Sequence, residues 1–264
     1  MMARGAFLAI AAACALAAPA EAQRGQIAER VASLRNGVLE LRFPSREGIC
    51  GDGRSYIQWG EHTRFGSWSS DGRQRPCVAG PVRVALSVSN GEVRRAKAYV
   101  GPPVPDSFDD VLETSAADAS QYLLDLARRD SHRGARGDYV FGAVLGEGVV
   151  AWPALLDIAR GQRTEGRKGH EAALFWLGRY AAAKTVGSDD PFIEFDDDKD
   201  PDEDLKEHAV FVMSQLRGQQ GVDDLIKVVR TNRDPRVRAN AIFWLGQSGD
   251  KRAIDVFEEI LRGK

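Results

Sequence analysis

The sequence predicts an α+β protein, mainly helical, in which a small disulfide-linked β domain precedes an α-solenoid of stacked helix pairs. Three observations support this fold class. From about residue 37 to residue 100, apolar residues alternate with polar or small ones, which is the period of a β-strand. From about residue 115 the apolar period becomes helical. Within this second part a short aromatic motif recurs at a fixed spacing, as is typical of repeat proteins.

The composition is that of an ordinary globular protein. The 264 residues include 36 Lys and Arg against 38 Asp and Glu, which gives a formal net charge of -2, and 43% of them are hydrophobic. These values exclude a wholly disordered chain, a collagen-like chain, a disulfide-dense scaffold and a strongly basic nucleic-acid binder. We therefore expect no nucleic-acid partner. No segment is long and apolar enough to predict a membrane span.

Residues 1–22 have the pattern of a secretory signal peptide. A positively charged start is followed by an apolar segment over 6–18 and by small residues that lead up to Ala22. We expect cleavage after Ala22 and a secreted or periplasmic protein. A membrane anchor is disfavoured because the apolar run is shorter than the ~20 residues that span a bilayer. Lipid attachment at Cys14 is the alternative.

Residues 23–105 are predicted to form a small β-rich domain that ends in a Pro-rich linker over 101–105. After one strand, Asn90-Gly91 supplies the pair of positive φ angles that a tight hairpin turn requires. The clearest strand candidates are 39–43, 56–59 and 82–88.

Cys50 and Cys77 are the cysteines that remain after cleavage, and in an exported chain they predict a disulfide. A zinc site is the weaker alternative, because His62 is distant and alone and the spacing lacks a ligand cluster. The segment Cys50-Gly51-Asp52-Gly53 is then interpreted as a turn anchored by the disulfide. A loop that presents Asp52 to a ligand is the alternative.

Residues 106–264 are predicted to form a helical repeat domain. Ser115, followed three residues later by Asp118, indicates a capping box at the first helix. Asp234-Pro235 predicts another helix start, since Asp caps well and Pro at the first position loses no needed N–H. Gly249-Asp250 then ends that helix and caps the next.

A recurring motif defines the repeat units. Phe175-Trp176-Leu177-Gly178 returns as Phe243-Trp244-Leu245-Gly246 after 68 residues, and the segment 209–213 lies 32 residues before 241–245. Each unit is therefore two amphipathic helices, which must stack to bury their apolar faces. Trp176 and Trp244 fall on these faces, so we expect them to pack between repeats rather than to stack on a ligand.

On these residues the chain, over about 115–264, resembles the HEAT-repeat family. The resemblance is closest to the short bacterial HEAT-like repeats that also occur in phycobilin lyases. It is carried by the run 233–238, by an alanine-rich first helix and by the run 249–253. It is good over 205–264, fair over 165–183 and loose over 115–162, where Pro153 interrupts the expected second helix. The resemblance implies stacked helix pairs and a protein partner. Residues 23–105 resemble no named family.

An acidic insertion over 189–204 separates two repeat units. It holds ten acids and one Lys, so it carries -9 and the rest of the chain +7. The calcium-ligand positions of an EF-hand loop would be occupied by Asp196, Asp198, Asp200, Asp202 and Glu207. Position six of that loop is Pro201 instead of the usual glycine. A calcium loop and a solvated acidic segment are both retained, and the segment is also a candidate contact for a cationic partner.

No catalytic residues and no cofactor are expected. The four histidines are scattered, and neither His-Glu-x-x-His nor Gly-x-Ser-x-Gly occurs. A basic surface near Trp59 and Trp68 is considered on the strength of Arg42, Arg46, Arg54, Arg64, Arg73 and Arg75.

The sequence thus predicts a non-catalytic exported scaffold that binds another protein in the cell envelope, with the partner and the oligomeric state left open. The alternatives are a HEAT-like lyase or other enzyme with a small ligand, and a calcium-stabilised structural module.

Overall fold

The computed structural model describes residues 20–60, 63–66, 76–102, 108, 110–129, 136–161, 167–194, 201–216 and 220–263. The predicted signal peptide up to residue 19, including Cys14, lies outside these residues. In the described ranges the chain is mainly helical, with two small β-sheets in its N-terminal part. The predicted α+β class, mainly helical, is therefore confirmed.

The described strands are β1 (Asn36–Phe43), β2 (Ile49–Gly51), β3 (Tyr56–Trp59), β4 (Thr63–Gly66), β5 (Val78–Ala79), β6 (Val82–Ser89), β7 (Glu92–Val100) and β8 (Asp110–Glu113). The described helices are α1 (Ala20–Ser33), α2 (Ala116–Arg129), α3 (Arg136–Val144), α4 (Trp152–Arg160), α5 (Arg167–Thr185), α6 (Pro201–Ser214), α7 (Gln220–Thr231), α8 (Pro235–Ser248) and α9 (Arg252–Leu261).

The first sheet has the strand order β7-β6-β1-β8. Strands β1 and β6 are antiparallel, with Leu39 opposite Leu86 and Leu41 opposite Val84. All four side chains are buried, because alternate residues of a strand point to the same face. Helices α1, α2 and α3 pack against this sheet, and Gly142 of α3 lets the helix approach Val84 closely.

The edge strands of the first sheet are β7, which follows a hairpin turn, and β8, which comes later in the chain. Asn90 and Gly91 have φ angles of 54° and 74°, which confirms the predicted hairpin turn between β6 and β7. Strand β8 pairs parallel with β1, Leu39 lying opposite Asp110. The sheet thus includes a strand that follows the predicted Pro-rich linker in the chain.

The second sheet has the order β4-β3-β2-β5 and carries the disulfide. Cys50 lies on β2 and Cys77 directly precedes β5, and their sulfurs are bonded across a sequence separation of 27 residues. The predicted pairing is confirmed. Neither sulfur is available to a zinc ion, so the zinc alternative is wrong.

A buried ion pair links two neighbouring strands of the first sheet. Arg83 on β6 donates from Nη2 to Oε2 of Glu40 on β1 at 2.9 Å, and both side chains are almost fully buried. Arg83 also reaches the backbone carbonyl oxygens of Gly53 at 3.4 Å and Pro102 at 3.2 Å. The alternation had placed Glu40 on a polar face. The Glu40 side chain is nevertheless fully buried beside Arg83.

Arg46 ties the loop after β1 to the helices. Its Nε donates to the carbonyl oxygen of Val144 at 2.9 Å, and its Nη2 donates to the carbonyl oxygen of Val149 and to the Tyr180 hydroxyl. Its guanidinium also lies 5.7 Å from the ring centroid of Phe192. Sheets and helices share one continuous hydrophobic core around these contacts.

The helix starts follow local chemistry. The backbone N–H of Asp118 donates to Ser115 Oγ at 3.0 Å, which confirms the predicted cap of α2. Helix α8 begins at Pro235 with Asp234 as its N-cap, and it ends at Gly249 with a φ angle of 68°. Pro153 does not interrupt a helix as predicted. Helix α4 starts at Trp152, so Pro153 lies in the first turn, where no N–H is missed.

The helices do not stack in simple chain order. Helix α8 packs against both α5 and α6, and its contact with α5 is the most extensive between any two described helices. The contact is close because Gly178 and Gly246 face each other: a Cβ at Gly178 would lie 3.1 Å from the Gly246 Cα. The spatial order is thus α5, α8, α6, which leaves α6 and α7 at the outer end.

The disulfide gives a first prediction. The Cys50→Ser/Cys77→Ser double variant should lose about 3.5 kcal/mol of unfolding free energy, because the crosslink restricts a loop of this length in the unfolded chain. Urea unfolding followed by circular dichroism measures the loss. A loss below about 1 kcal/mol would contradict the chain-entropy argument.

The glycine contact gives a second prediction. Gly178→Val should lower the unfolding free energy by about 1–3 kcal/mol, because the added methyl groups meet the backbone of α8. Gly25→Val is the matched control. A Cβ at Gly25 in α1 has nothing within 4 Å, so this change should stay within about 0.5 kcal/mol of the parent. Equal effects of the two variants in thermal unfolding would refute the close approach.

The buried ion pair gives a third prediction, on pH. Burial by itself raises the pKa of Glu40, but hydrogen bonds from Arg83 and Arg42 outweigh burial and hold that pKa below its usual value of 4.5. A lowered carboxyl pKa stabilises the fold above the unfolded-state pKa, and this stabilisation is lost as the pH falls through the folded-state pKa.

At neutral pH, Glu40→Gln should therefore cost about 3 kcal/mol, because the charge of Arg83 stays buried without its counter-ion. The difference in unfolding free energy between parent and variant should decrease as the pH falls from about 5 to about 3, since Glu40 then becomes protonated in the parent. Denaturant titrations across this pH range measure the difference in unfolding free energy. Glu92→Gln, which removes a carboxylate that is 68% exposed, is the control and should change stability little. A gap that stays constant would disprove the linkage.

Candidate interaction surface

A chain of neighbouring aromatic rings runs from the second sheet to the outer end of the helices. Successive ring centroids lie 5.1–6.5 Å apart. None of these rings is buried, and the last one is exposed. We call this set the aromatic stripe; in order of contact it consists of Phe141, Phe65, Phe175, Phe243, Trp244 and Phe211.

The stripe rests on a buried aromatic floor. Trp59 of β3, Trp176 of α5 and Phe192 are all buried, and their ring centroids lie 4.8–6.0 Å from one another. Phe65 stacks on Trp59 at 4.6 Å, and Phe141 stacks on Trp176 at 6.1 Å. The half-exposed rings of Phe65 and Phe141 are therefore each packed against a buried ring.

Helix geometry explains why adjacent aromatic residues divide between floor and stripe. Successive residues of an α-helix are about 100° apart around the axis. In α5 this places Trp176 in the core and leaves Phe175 half-exposed. In α8 both Phe243 and Trp244 remain half-exposed, so the packing expected for Trp244 is only partial. Trp244 instead contacts Phe211 of α6 at 5.1 Å.

The outer end of the stripe has the largest exposed apolar side chains. Phe211, Val212 and Leu216 are 39%, 48% and 43% exposed, and only Val78 and Val150 join them among the large hydrophobic residues described. A cleft of about 250 Å³ lies beside them, lined by residues that include Leu225 and Trp244. Among the described elements α6 packs mainly against α7 and α8, and these side chains lie away from those contacts.

The inner end of the stripe has a second cleft, of about 230 Å³, between the sheets and α3. Phe65 and Phe141 of the stripe form part of its wall. The remaining lining residues are Arg54, Ser55, Tyr56, Ile57, Lys97, Ala98, Tyr99 and Asp138. We call it the sheet–helix cleft.

The predicted calcium ligands are only partly placed. Asp196, Asp198 and Asp200 lie outside the described residues, whereas Asp202 and Glu207 both belong to α6. Among the described residues no group of three or more His, Cys, Asp or Glu is arranged to hold a metal ion. The calcium loop stays a prediction.

Asp52 organises its own turn. Its carboxylate accepts hydrogen bonds from the backbone N–H groups of Arg54, Ser55 and Tyr56, at 2.7–3.1 Å, and from the Ser55 hydroxyl. Burial raises the pKa of Asp52, but these hydrogen bonds dominate and hold it far below the usual value for aspartate. The geometry agrees with the predicted anchored turn after Cys50.

The predicted basic surface is divided among several roles. Arg42 pairs with Glu40 and Glu113, and Arg46 lies in the interior contacts described above. Arg54 alone of these three faces a cleft. The side chains of Arg64, Arg73 and Arg75, and Trp68 as well, are not among the described ones.

Sequence reasoning missed the stripe as a surface. One signal was present: Phe175, Phe211 and Phe243 occupy the same position in three units, at offsets of 36 and 32 residues. The sequence alone gave no reason to add Phe65 and Phe141, because they come from a strand and from a helix outside the recurring motif.

Comparison with known proteins supports the helical assignment in the C-terminal region. A family model described as HEAT repeats matches residues 197–264, a range that spans α6 to α9. No family model matches the N-terminal part. No curated protein and no solved structure matches the chain. The HEAT-repeat prediction is therefore confirmed for these residues.

Within the described part of the chain, no helix is both long and apolar enough to cross a membrane.

Proposed function

We propose that this protein is a non-catalytic scaffold that binds another protein along the aromatic stripe. The observation that carries the proposal is the stripe itself, six contiguous rings of which none is buried. Aromatic residues are enriched in protein interfaces, where they supply most of the binding energy through a few anchors. Rings that already pack against other side chains lose little conformational freedom on binding. This small entropy cost favours affinity.

The helical part supports an extended partner. We propose that α4 to α9 act as a short α-solenoid, in which the pair α6–α7 is the terminal unit although it precedes α8 and α9 in the chain. The HEAT-repeat match over 197–264 and the packing of α8 between α5 and α6 support this. Stacked helix pairs present a long ridged surface, and their open ends need a cap or a partner.

The proposed location is the cell envelope or the extracellular space. The signal-like pattern of residues 1–22, with cleavage after Ala22, and the bonded pair Cys50–Cys77 support export, since disulfides persist in oxidising compartments. Lipid attachment at Cys14 remains the alternative form of the same proposal. The absence of catalysis is proposed from the lack of catalytic motifs in the sequence.

A capture experiment with matched variants tests the scaffold. The mature chain, residues 23–264, is immobilised, and bound proteins from an envelope extract of the native cells are identified by mass spectrometry at low and high salt. Phe211→Lys places a charge at the exposed end of the stripe and should reduce capture of the specific partner about tenfold. Val150→Lys, at a 67% exposed valine away from the stripe, should leave capture unchanged.

Capture that survives salt and is lost only in the Phe211 variant agrees with the proposal. A partner retained equally by both variants would refute the stripe as the binding surface. Capture that disappears at high salt in every variant would instead favour the acidic insertion at 189–204, because surface charges are screened within about 8 Å at physiological salt.

A further inference from the structure

The sheet–helix cleft is built by elements that are far apart in the sequence. Residues 54–57 come from the turn before β3 and from β3 itself, and residues 97–99 come from β7. Phe65 of β4 and Phe141 of α3 complete the wall. Concave sites at the junction of two structural units are where small ligands most often bind.

The walls of the cleft are mainly apolar and aromatic. Ile57 is buried behind the cleft, while Phe65, Phe141 and Tyr99 remain half-exposed towards it. Phe65 and Phe141 contact each other at 5.3 Å, so they form one continuous apolar surface. Such a surface favours a planar or branched hydrocarbon group.

Two cations line the same cleft. Lys97 places its Nζ 5.0 Å from the Tyr99 ring centroid, and Arg54 is exposed at the turn. Neither side chain forms an ion pair with any carboxylate in the described ranges. The one acidic lining residue is Asp138, so the lining carries a net positive charge. By contrast, Arg83 behind Tyr99 is neutralised by Glu40.

From this combination we infer that the sheet–helix cleft binds a small amphipathic anion, an aromatic or branched aliphatic carboxylate. Its hydrocarbon part lies against Phe65 and Phe141, and its carboxylate lies between Arg54 and Lys97. The volume of about 230 Å³ sets the size. It corresponds to roughly eight water molecules at about 30 Å³ each, which suits a single or fused aromatic ring.

This inference is independent of the scaffold, because the cleft is formed within one chain and needs no protein partner. A ligand bound there would lie at the inner end of the stripe, opposite to Phe211. Loss of capture in the Phe211 variant and loss of ligand binding in a cleft variant are therefore separate results.

Titration with 1-naphthoate tests the inference. Amide chemical shifts of the ¹⁵N-labelled protein and isothermal titration calorimetry should show binding with a Kd of about 1 mM or tighter, as small ligands of this size achieve. The shifts should be largest at residues 54–57 and 97–99. The neutral analogue 1-naphthylmethanol should bind about fivefold more weakly, because it lacks the charge that Arg54 and Lys97 attract.

Matched charge variants localise the effect. Arg54→Gln/Lys97→Gln should weaken 1-naphthoate binding about five- to tenfold. Arg35→Gln/Arg95→Gln removes the same charge from exposed residues outside the cleft and should leave the Kd unchanged. Absence of binding at 10 mM, equal affinity for the neutral analogue, or an equal loss in both double variants would each overturn the inference.

Discussion

The contact between Trp59 of β3 and Trp176 of α5 joins the β part of the molecule to the helical part, and much of the structure depends on it. The two rings lie 6.0 Å apart, and Phe192 packs against both. Each aromatic pair adds about 0.5–1.5 kcal/mol beyond the area it buries. The contact excludes water so fully that the Trp59 indole N–H has no hydrogen-bond partner among the described residues. Leaving such a donor unpaired costs about 1–3 kcal/mol, so the surrounding apolar packing must outweigh it.

Polar contacts fix the orientation that aromatic packing alone leaves loose. Hydrophobic burial is non-directional, whereas hydrogen bonds from a guanidinium require particular angles. Arg83 is paired with Glu40 of the neighbouring strand and also donates to the backbone carbonyl oxygen of Gly53, between β2 and β3 of the second sheet. Arg46 holds the loop after β1 against α5 through Tyr180. Phe65 of the second sheet meets Phe141 of the helical part at a centroid distance of 5.3 Å. The inner half of the aromatic stripe and the sheet–helix cleft both follow from this arrangement.

The order of the helices decides where the stripe ends. Because Gly178 and Gly246 allow α8 to pack directly on α5, the earlier helix α6 is displaced to the outside of the stack. Its aromatic residue, Phe211, has the same place in its unit as Phe175 and Phe243, but it is 39% exposed among the described residues. A position that is half-covered in the inner units thus becomes an exposed one. The predicted acidic insertion overlaps the start of this same helix, which begins at Pro201.

The sequence by itself determined what depends on neighbouring residues. Strand and helix periods, the Asn90-Gly91 turn and the Asp234-Pro235 cap are local, and the pairing of Cys50 with Cys77 followed from the small number of cysteines. Tertiary structure alone decided the burial of Glu40, the start of α4 at Trp152 and the place of α8 between α5 and α6. Each of these features depends on which element packs against a given surface. A periodic pattern in the sequence shows that a face is buried, but it does not identify the element that buries it. The aromatic stripe is likewise a product of packing, because its rings come from one strand and four helices that meet only in the folded chain.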